Sequence, residues 1–207
     1  MSRCLKDITG VVLAGGRARR MGGVDKGLTP VAGRPMIEHV IARLKPQVSS
    51  LIINANRNLE TYRGLGYPVV TDGDGEFRGP LAGIRAAMEI ARTAFIVTAP
   101  CDSPLLPQCL AQRLWHACRQ DGAEIAVAHD GQRLQPVFAL IATGIGADLA
   151  RYLREGGRKI DRWYESRRLV TVDFGDLAGC FVNVNDPAQR NEIEDLLAPD
   201  AGRAPAT

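Results

Sequence analysis

The sequence predicts an α/β protein: a Rossmann-like, mostly parallel twisted sheet flanked by helices, with an antiparallel addition in the C-terminal half. Three observations carry that prediction. Apolar runs of strand length recur at 8–14 ("ITGVVLA"), 50–56 ("SLIINAN"), 67–72 ("YPVVTD") and 93–100 ("TAFIVTAP"). Segments of helical period separate them, which is the βαβ rhythm of a parallel sheet. At 123–141, "AEIAVAHDGQRLQPVFALI", two apolar runs flank a polar Asp-Gly turn, the pattern of a β-hairpin. With 207 residues, 45% of them hydrophobic and 24% charged, the chain can bury a full core without staples.

Taken in order, the first strand, 8–14, leads into a stretch rich in glycine and arginine and then a helix. Met36, Ile37, Val40, Ile41 and Leu44 form its apolar stripe, with Pro35 in its first turn. The strands at 50–56 and 67–72 precede a second helix, introduced by Pro80 and striped by Leu81, Ile84, Met88 and Ala91. After the strand at 93–100, a third helix follows Pro107 and buries Leu110, Leu114 and Ala117. The hairpin comes next, then helical segments around 144–156 and 158–168, a strand "LVTVDF", the unusual "FVNVND", and a helix from Pro187 to Leu197. With no repeat or low-complexity linker, residues 1–200 read as one domain, and 198–207, "APDAGRAPAT", as a disordered tail.

In an open parallel sheet, ligands collect outside the carboxyl ends of the strands. The stretch after the first strand, "LAGGRARRMGGVDKG", holds five glycines, three arginines and a lysine. It matches neither the P-loop nor the Gly-x-Gly-x-x-Gly spacing, so it is judged on its own physics. Gly15, Gly16, Gly22 and Gly23 let backbone amides approach phosphate oxygens, and Arg17, Arg19, Arg20 and Lys26 add charge-assisted donors. A polyphosphate is the guest such a loop suits. At the end of the strand at 93–100, "PCDSP" delivers Asp102 to the same crevice. A carboxylate facing polyphosphate requires a divalent cation between them, and Mg²⁺, which uses one or two carboxylates with phosphate oxygens and water, fits. Capping of the next helix is the plainer role for Asp102. Asn54 and Asp72, each ending a strand, suit base or ribose recognition or simple turn formation. Gly79 and Gly83 bracket Pro80 at a helix start, where amides could also meet an anion.

Several function classes are disfavoured. The 26 basic and 23 acidic side chains leave a net charge of only +3, so a preference for anions must be local. "RARR" has no interleaved aromatics, which argues against nucleic acid. Five cysteines, Cys4, Cys101, Cys109, Cys118 and Cys180, contain no Cys-x-x-Cys pair and read as reduced thiols, with Cys101 packing rather than ligating. No apolar run reaches about 18 residues, and the reading is a cytoplasmic protein with no membrane span. His39 lies in a helical stripe, and His116 and His129 show no partner, so core or surface roles are expected for all three.

The motifs "LAGGRARRMGGVDKG", "INAN", "VVTD", "GPLAG", "PCDSP" and "FVNVN", in this order from about residue 8 to 197, resemble the nucleotidyltransferases, and most closely the molybdenum cofactor guanylyltransferase family. The resemblance implies a nucleotidyltransferase fold and transfer of GMP from GTP to Mo-molybdopterin, giving molybdopterin guanine dinucleotide and pyrophosphate with Mg²⁺. It implies that Leu13, Ala14, Gly15, Lys26, Asn54, Asp72 and Asp102 bind GTP, and that Asp102 also holds the metal. Arg20, with Lys26 and Asp102, enters as catalytic, and Gly23, Gly79 and Gly83 enter the active crevice. Asn183 and Asn185 fall on the pterin side, and Arg158 of "GGRKI" is a further contact. Residues 8–105 would bind nucleotide and 106–197 would face molybdopterin. Proteins that deliver molybdopterin or mature molybdoenzymes would be partners. Two rivals stand beside this reading: the same fold transferring CMP to molybdopterin or a nucleotide to a sugar phosphate, and a non-catalytic carrier of the cofactor or nucleotide. "LAGG" with "MGGVDKG" resembles the guanylyl branch, where the cytidylyl branch usually reads "LAAG".

Overall fold

The computed structural model describes residues 5–15, 25–73 and 79–197. Gly16, Arg17, Arg19, Arg20, Gly22, Gly23, Cys4 and the expected tail at 198–207 lie outside the described residues.

Seven strands form one sheet in the order β5 (Val69–Val70), β4 (Val48–Asn54), β1 (Leu5–Leu13), β6 (Phe95–Pro100), β8 (Leu134–Ala142), β7 (Ile125–His129) and β9 (Leu169–Asp173). β8 runs antiparallel to both its neighbours, and the other described pairs in this sheet are parallel. The expected antiparallel addition is therefore a single reversed strand, placed inside the sheet by the 123–141 hairpin. The hairpin's turn is closed by the Asp130 carboxylate. It accepts the backbone N–H groups of Gln132 and Arg133, both at 2.8 Å, and these bonds lower its pKa to about 2.

Alternation along the strands divides the core into two faces. In β1, Ile8 and Val12 point to one face, under helices α1 (Met36–Leu44) and α4 (Leu110–Asp121). Val11 and Leu13 point to the other, under α3 (Pro80–Ile90), α5 (Gly146–Arg154) and α6 (Ile160–Glu165). All five stripe residues of α1 are buried as expected. In α4 the buried set is Leu110, Ala111, Leu114 and Cys118. Ala117 is only half-buried, because the i, i+4, i+8 spacing from Leu110 selects Cys118 for the core side.

Other differences are local. Pro35 belongs to β3 (Arg34–Pro35) and is the N-cap of α1 rather than part of its first turn. β3 pairs with β2 (Pro30–Val31) in a small hairpin whose turn residues, Ala32 and Gly33, both have positive φ, 47° and 73°. A short helix, α2 (Leu59–Arg63), follows β4. The segment expected to be helical at 158–168 is helical only at α6, and Ala91 is the C-cap of α3. The last helix, α7 (Pro187–Leu197), has the expected bounds and packs Ile193 with Val31, Met36, Leu105 and Val184 in a third, smaller cluster.

The strand order positions the site. From β1 the chain steps to β4 and β5 on one side, then crosses back to β6 on the other. The carboxyl ends of β1 and β6 therefore flank a topological switch point, where ligand crevices form in such sheets. Leu13 pairs with Asn54 on one side and Pro100 on the other, so 13–15 lie between both groups of predicted residues.

Candidate active site

Three segments remote in sequence meet beyond β6. Lys26 begins a turn of 3-10 helix (Lys26–Leu28), Asp102 follows β6 by two residues, and Asn185 lies just before α7. Lys26 Nζ donates to Asp102 Oδ2 at 3.2 Å and also to Asn185 Oδ1. The backbone fixes this meeting: the Val184 N–H donates to the Asp102 carbonyl at 2.9 Å, and the Ser103 hydroxyl donates to Asn183 Oδ1. "FVNVN" is thus an irregular segment laid along "PCDSP", not a strand. Asp186 accepts the Gln189 N–H at 2.9 Å, which makes it a cap of α7.

On the other side of β1, Asn54 and Asp72 bond to each other. Asn54 Nδ2 donates to Asp72 Oδ1 at 2.9 Å and to the Val70 carbonyl at 3.3 Å. Asn56 Nδ2 donates to Asp72 Oδ2 at 2.8 Å, and its Oδ1 accepts the Asp72 N–H at 2.9 Å. Asn54 is buried, and two glycines make room for it. A Cβ on Gly15 would lie 3.0 Å from Asn54 Oδ1, and one on Gly83 would lie 2.5 Å from Asn54 Cγ and closer still to Oδ1. Gly83 is therefore a packing glycine that lets the first turn of α3 close over the end of β4. Gly79 has a different reason to be glycine: its φ is +80° at the N-cap of α3, with Pro80 following at the first helical position.

The sequence reading missed the residues beneath Lys26. Asp25 is buried, and its Oδ1 accepts the Tyr62 hydroxyl at 2.6 Å and the Gly27 N–H at 3.2 Å. Its Oδ2 accepts Asn58 Nδ2 at 2.9 Å and lies 3.5 Å from Arg57 Nε. Burial, then the bond to Asp25, pushes the Tyr62 phenol far above its ordinary pKa, so it stays a donor. The one available signal was the asparagine-rich "NANRN", whose alternate members serve Asp72 and Asp25.

Arg158 donates to the carbonyls of Leu153 at 2.8 Å and Gly157 at 2.6 Å, so it closes the C-terminal end of α5. None of its described bonds reaches Lys26, Asp102 or Asn185. Cys101 is buried against Gly27, and burial followed by the Asp102 charge raises its thiol pKa, as expected of a packing cysteine. His39 donates to the Val31 carbonyl at 2.8 Å, and His129 Nδ1 accepts the Gly131 N–H at 3.1 Å, both structural roles.

Asp102 and Asn185 Oδ1 offer hard oxygen donors near one another, and among the described residues no group of three His, Cys, Asp or Glu could hold a metal. That set fits a cation completed by phosphate and water, as Mg²⁺ prefers, and does not fit a closed protein cage. Among the described residues no helix is long and apolar enough to cross a membrane.

A family model described as the MobA-like NTP transferase domain matches residues 10–170. The chain is 53% identical over 201 residues to the molybdenum cofactor guanylyltransferase of Cupriavidus pinatubonensis, covering 95% of this chain and 98% of that protein. It is 46% identical to the molybdenum cofactor guanylyltransferase of Shewanella woodyi, covering 92% and 97%. Among solved structures, the molybdopterin-guanine dinucleotide biosynthesis protein A of Archaeoglobus fulgidus superposes with a TM-score of 0.73 at 23% identity, over 91% of this chain and 97% of that one. The 2-C-methyl-D-erythritol 4-phosphate cytidylyltransferase of Thermus thermophilus shares the fold at a TM-score of 0.66 and 15% identity, over 90% and 96%.

Proposed function

Since the chain belongs to the MobA-like NTP transferase domain family, we propose that it is a molybdenum cofactor guanylyltransferase, which transfers GMP from GTP to Mo-molybdopterin and releases pyrophosphate. The observation that carries this reading is the convergence of Lys26, Asp102 and Asn185 at the switch point between β1 and β6. High identity to guanylyltransferases over nearly the whole chain favours GTP over CTP, whereas the likeness to a cytidylyltransferase concerns the fold alone.

In the proposed reaction, a phosphate oxygen of molybdopterin attacks the α-phosphorus of GTP, and the bond to the bridging oxygen of the β-phosphate breaks. That nucleophile is ionised at neutral pH, so no general base is required and none is assigned. The chain must neutralise two polyanions, align them and exclude competing geometries. Lys26 supplies a cation to the phosphates, together with Arg20 and the glycine-rich loop amides. Gly15 and the Asn54–Asp72 pair form the nucleotide wall, with Leu13 and Ala14 beneath and Gly79 and Gly83 at the start of α3. Asn183 and Asn185, with Arg158 farther out, face the molybdopterin side. Asp102, with Asn185 beside it, would hold Mg²⁺, which when bound offsets phosphate charge and polarises the reacting phosphoryl group. Residues 8–105 serve the nucleotide and 106–197 the pterin within one cytoplasmic domain, whose protein partners would be carriers of molybdopterin and molybdoenzyme maturation factors.

Incubation with Mo-molybdopterin, Mg²⁺ and each nucleoside triphosphate in turn is expected to yield a guanine dinucleotide and equimolar pyrophosphate with GTP. Product with CTP and none with GTP would overturn the substrate, and nucleotide retention without pyrophosphate release would indicate a carrier. Lys26→Ala is expected to weaken GTP binding about 10- to 100-fold, the value of one charge-assisted bond, with the fold intact. An unchanged dissociation constant by calorimetry would remove Lys26 from the phosphate site.

A further inference from the structure

We propose that Asp25 and Tyr62 are positioning residues for Lys26. The Asp25 carboxylate, held by Tyr62 and Asn58, fixes the turn that aims the lysine ammonium at Asp102 and Asn185. This inference rests on the reading above, in which Lys26 meets the GTP phosphates.

The geometry is specific. Lys26 lies between Asp25 and Gly27, and Asp25 holds the chain that follows it through side chain and backbone together: Asp25 Oδ1 accepts the Gly27 N–H at 3.2 Å, while the Asp25 carbonyl accepts the Leu28 N–H at 3.1 Å and the Thr29 hydroxyl at 3.2 Å. The turn is thereby closed around the lysine backbone. What keeps Asp25 in place comes from outside the loop. Tyr62 is fully buried on α2, and Asn58, its N-cap, adopts φ 51°, a left-handed conformation that asparagine tolerates better than most residues. The Asn58 carbonyl accepts the Tyr62 N–H at 3.1 Å, so these two side-chain donors to Asp25 form one unit, with Arg57 Nε 3.5 Å from Asp25 Oδ2 beside them. Gly27 completes the fit, because a Cβ there would lie 2.6 Å from the Tyr62 oxygen and 3.3 Å from Cys101 Sγ.

A buried carboxylate is costly unless paired and hydrogen-bonded. Here the partners satisfy it, and the result is a rigid base under a half-exposed cation. A flexible lysine on a loose loop would lose entropy on meeting phosphate; one whose backbone is already fixed loses less. The end of β4 and the loop that follows it brace Asp72 through Asn54 and Asn56 and brace Asp25 through Asn58, so one segment sets both walls of the crevice.

The test uses Tyr62→Phe, which removes only the hydroxyl, and Asp25→Asn, which keeps the shape. The protein has four lysines, Lys6, Lys26, Lys45 and Lys159, so ¹³Cε-lysine labelling gives a countable spectrum in which Lys26→Arg assigns Lys26. Both variants are expected to move the Lys26 resonance toward those of solvent-exposed lysines without GTP present, while the other three stay in place. An unmoved Lys26 resonance overturns the proposal whatever the nucleotide does. By calorimetry, Tyr62→Phe is expected to weaken GTP binding about tenfold in the parent and to have no further effect in Lys26→Ala, the signature of coupled residues. Equal losses in both backgrounds would show a general structural role and overturn it. Failure of the parent to bind GTP would strike the guanylyltransferase reading alone, since the lysine spectrum stands without it.

Discussion

Asp102→Ala is expected to slow GMP transfer by about 10³-fold or more, the scale on which removing a metal anchor or a preorganised electrostatic group acts. The variant should remain folded, because the main-chain bond from Val184 to the Asp102 carbonyl does not use the side chain. It should also divide binding from turnover. In the parent, the carboxylate occupies Lys26 at 3.2 Å; without it the lysine is released toward phosphate. GTP affinity in the absence of metal is therefore expected to hold or to tighten while the single-turnover rate collapses. Pyrophosphate release after rapid mixing, paired with calorimetry, reads both. A rate near that of the parent with unchanged Mg²⁺ dependence would deny Asp102 the metal.

Gly83→Ala is expected to lower stability by about 1–3 kcal/mol, the usual cost of forcing a methyl into a packed site. For a domain of this size that corresponds to a melting point about 2–12 °C lower. The new methyl would collide with the Asn54 side chain, which cannot retreat. Its amide is held by Val70 and Asp72, and Gly15 is packed against it. Relief can come only if α3 lifts or the Asn54–Asp72 pair breaks, and either change deforms the wall proposed to bind the nucleotide. GTP affinity is therefore expected to fall about tenfold or more, since a misplacement of about 1 Å carries that scale of cost. Differential scanning calorimetry and titration calorimetry check the two effects. A second change, Asn54→Ala, should restore the melting point of Gly83→Ala without restoring GTP affinity; recovery of neither would mean that the conflict lies elsewhere.

Much of this was legible in the sequence because strand ends are. An apolar run that stops at Asn54 or runs into Cys101 and Asp102 announces both the strand and the crevice beyond it. Lys26 was legible through its glycine-rich surroundings. What stayed hidden depends on partners distant in the chain. Nothing local to Asp25 shows that Asn58 and Tyr62 will meet it, and the Asn54–Asp72 pair forms only when β4 and β5 align. Arg158 is a case where the local sequence carries no signal of its own. Its place near the pterin comes from the resemblance alone, and its described bonds, to the carbonyls of Leu153 and Gly157, close the C-terminal end of α5. The Ala117 to Cys118 exchange in α4 is a matter of helical phase, which a short stripe fixes only to within one residue.

The bond between Lys26 and Asp102 has a consequence for how the crevice meets its ligands. Before any anion arrives, the cation proposed to meet phosphate and the carboxylate proposed to hold metal already compensate each other, across a contact shielded enough to leave them 26% and 15% exposed. Loading is then a change of partners: each group leaves one opposite charge and takes another. Fewer small ions need be shed from these two groups than from two bare charges, so GTP affinity should fall with added salt less steeply than the cations in the crevice, counted singly, would require.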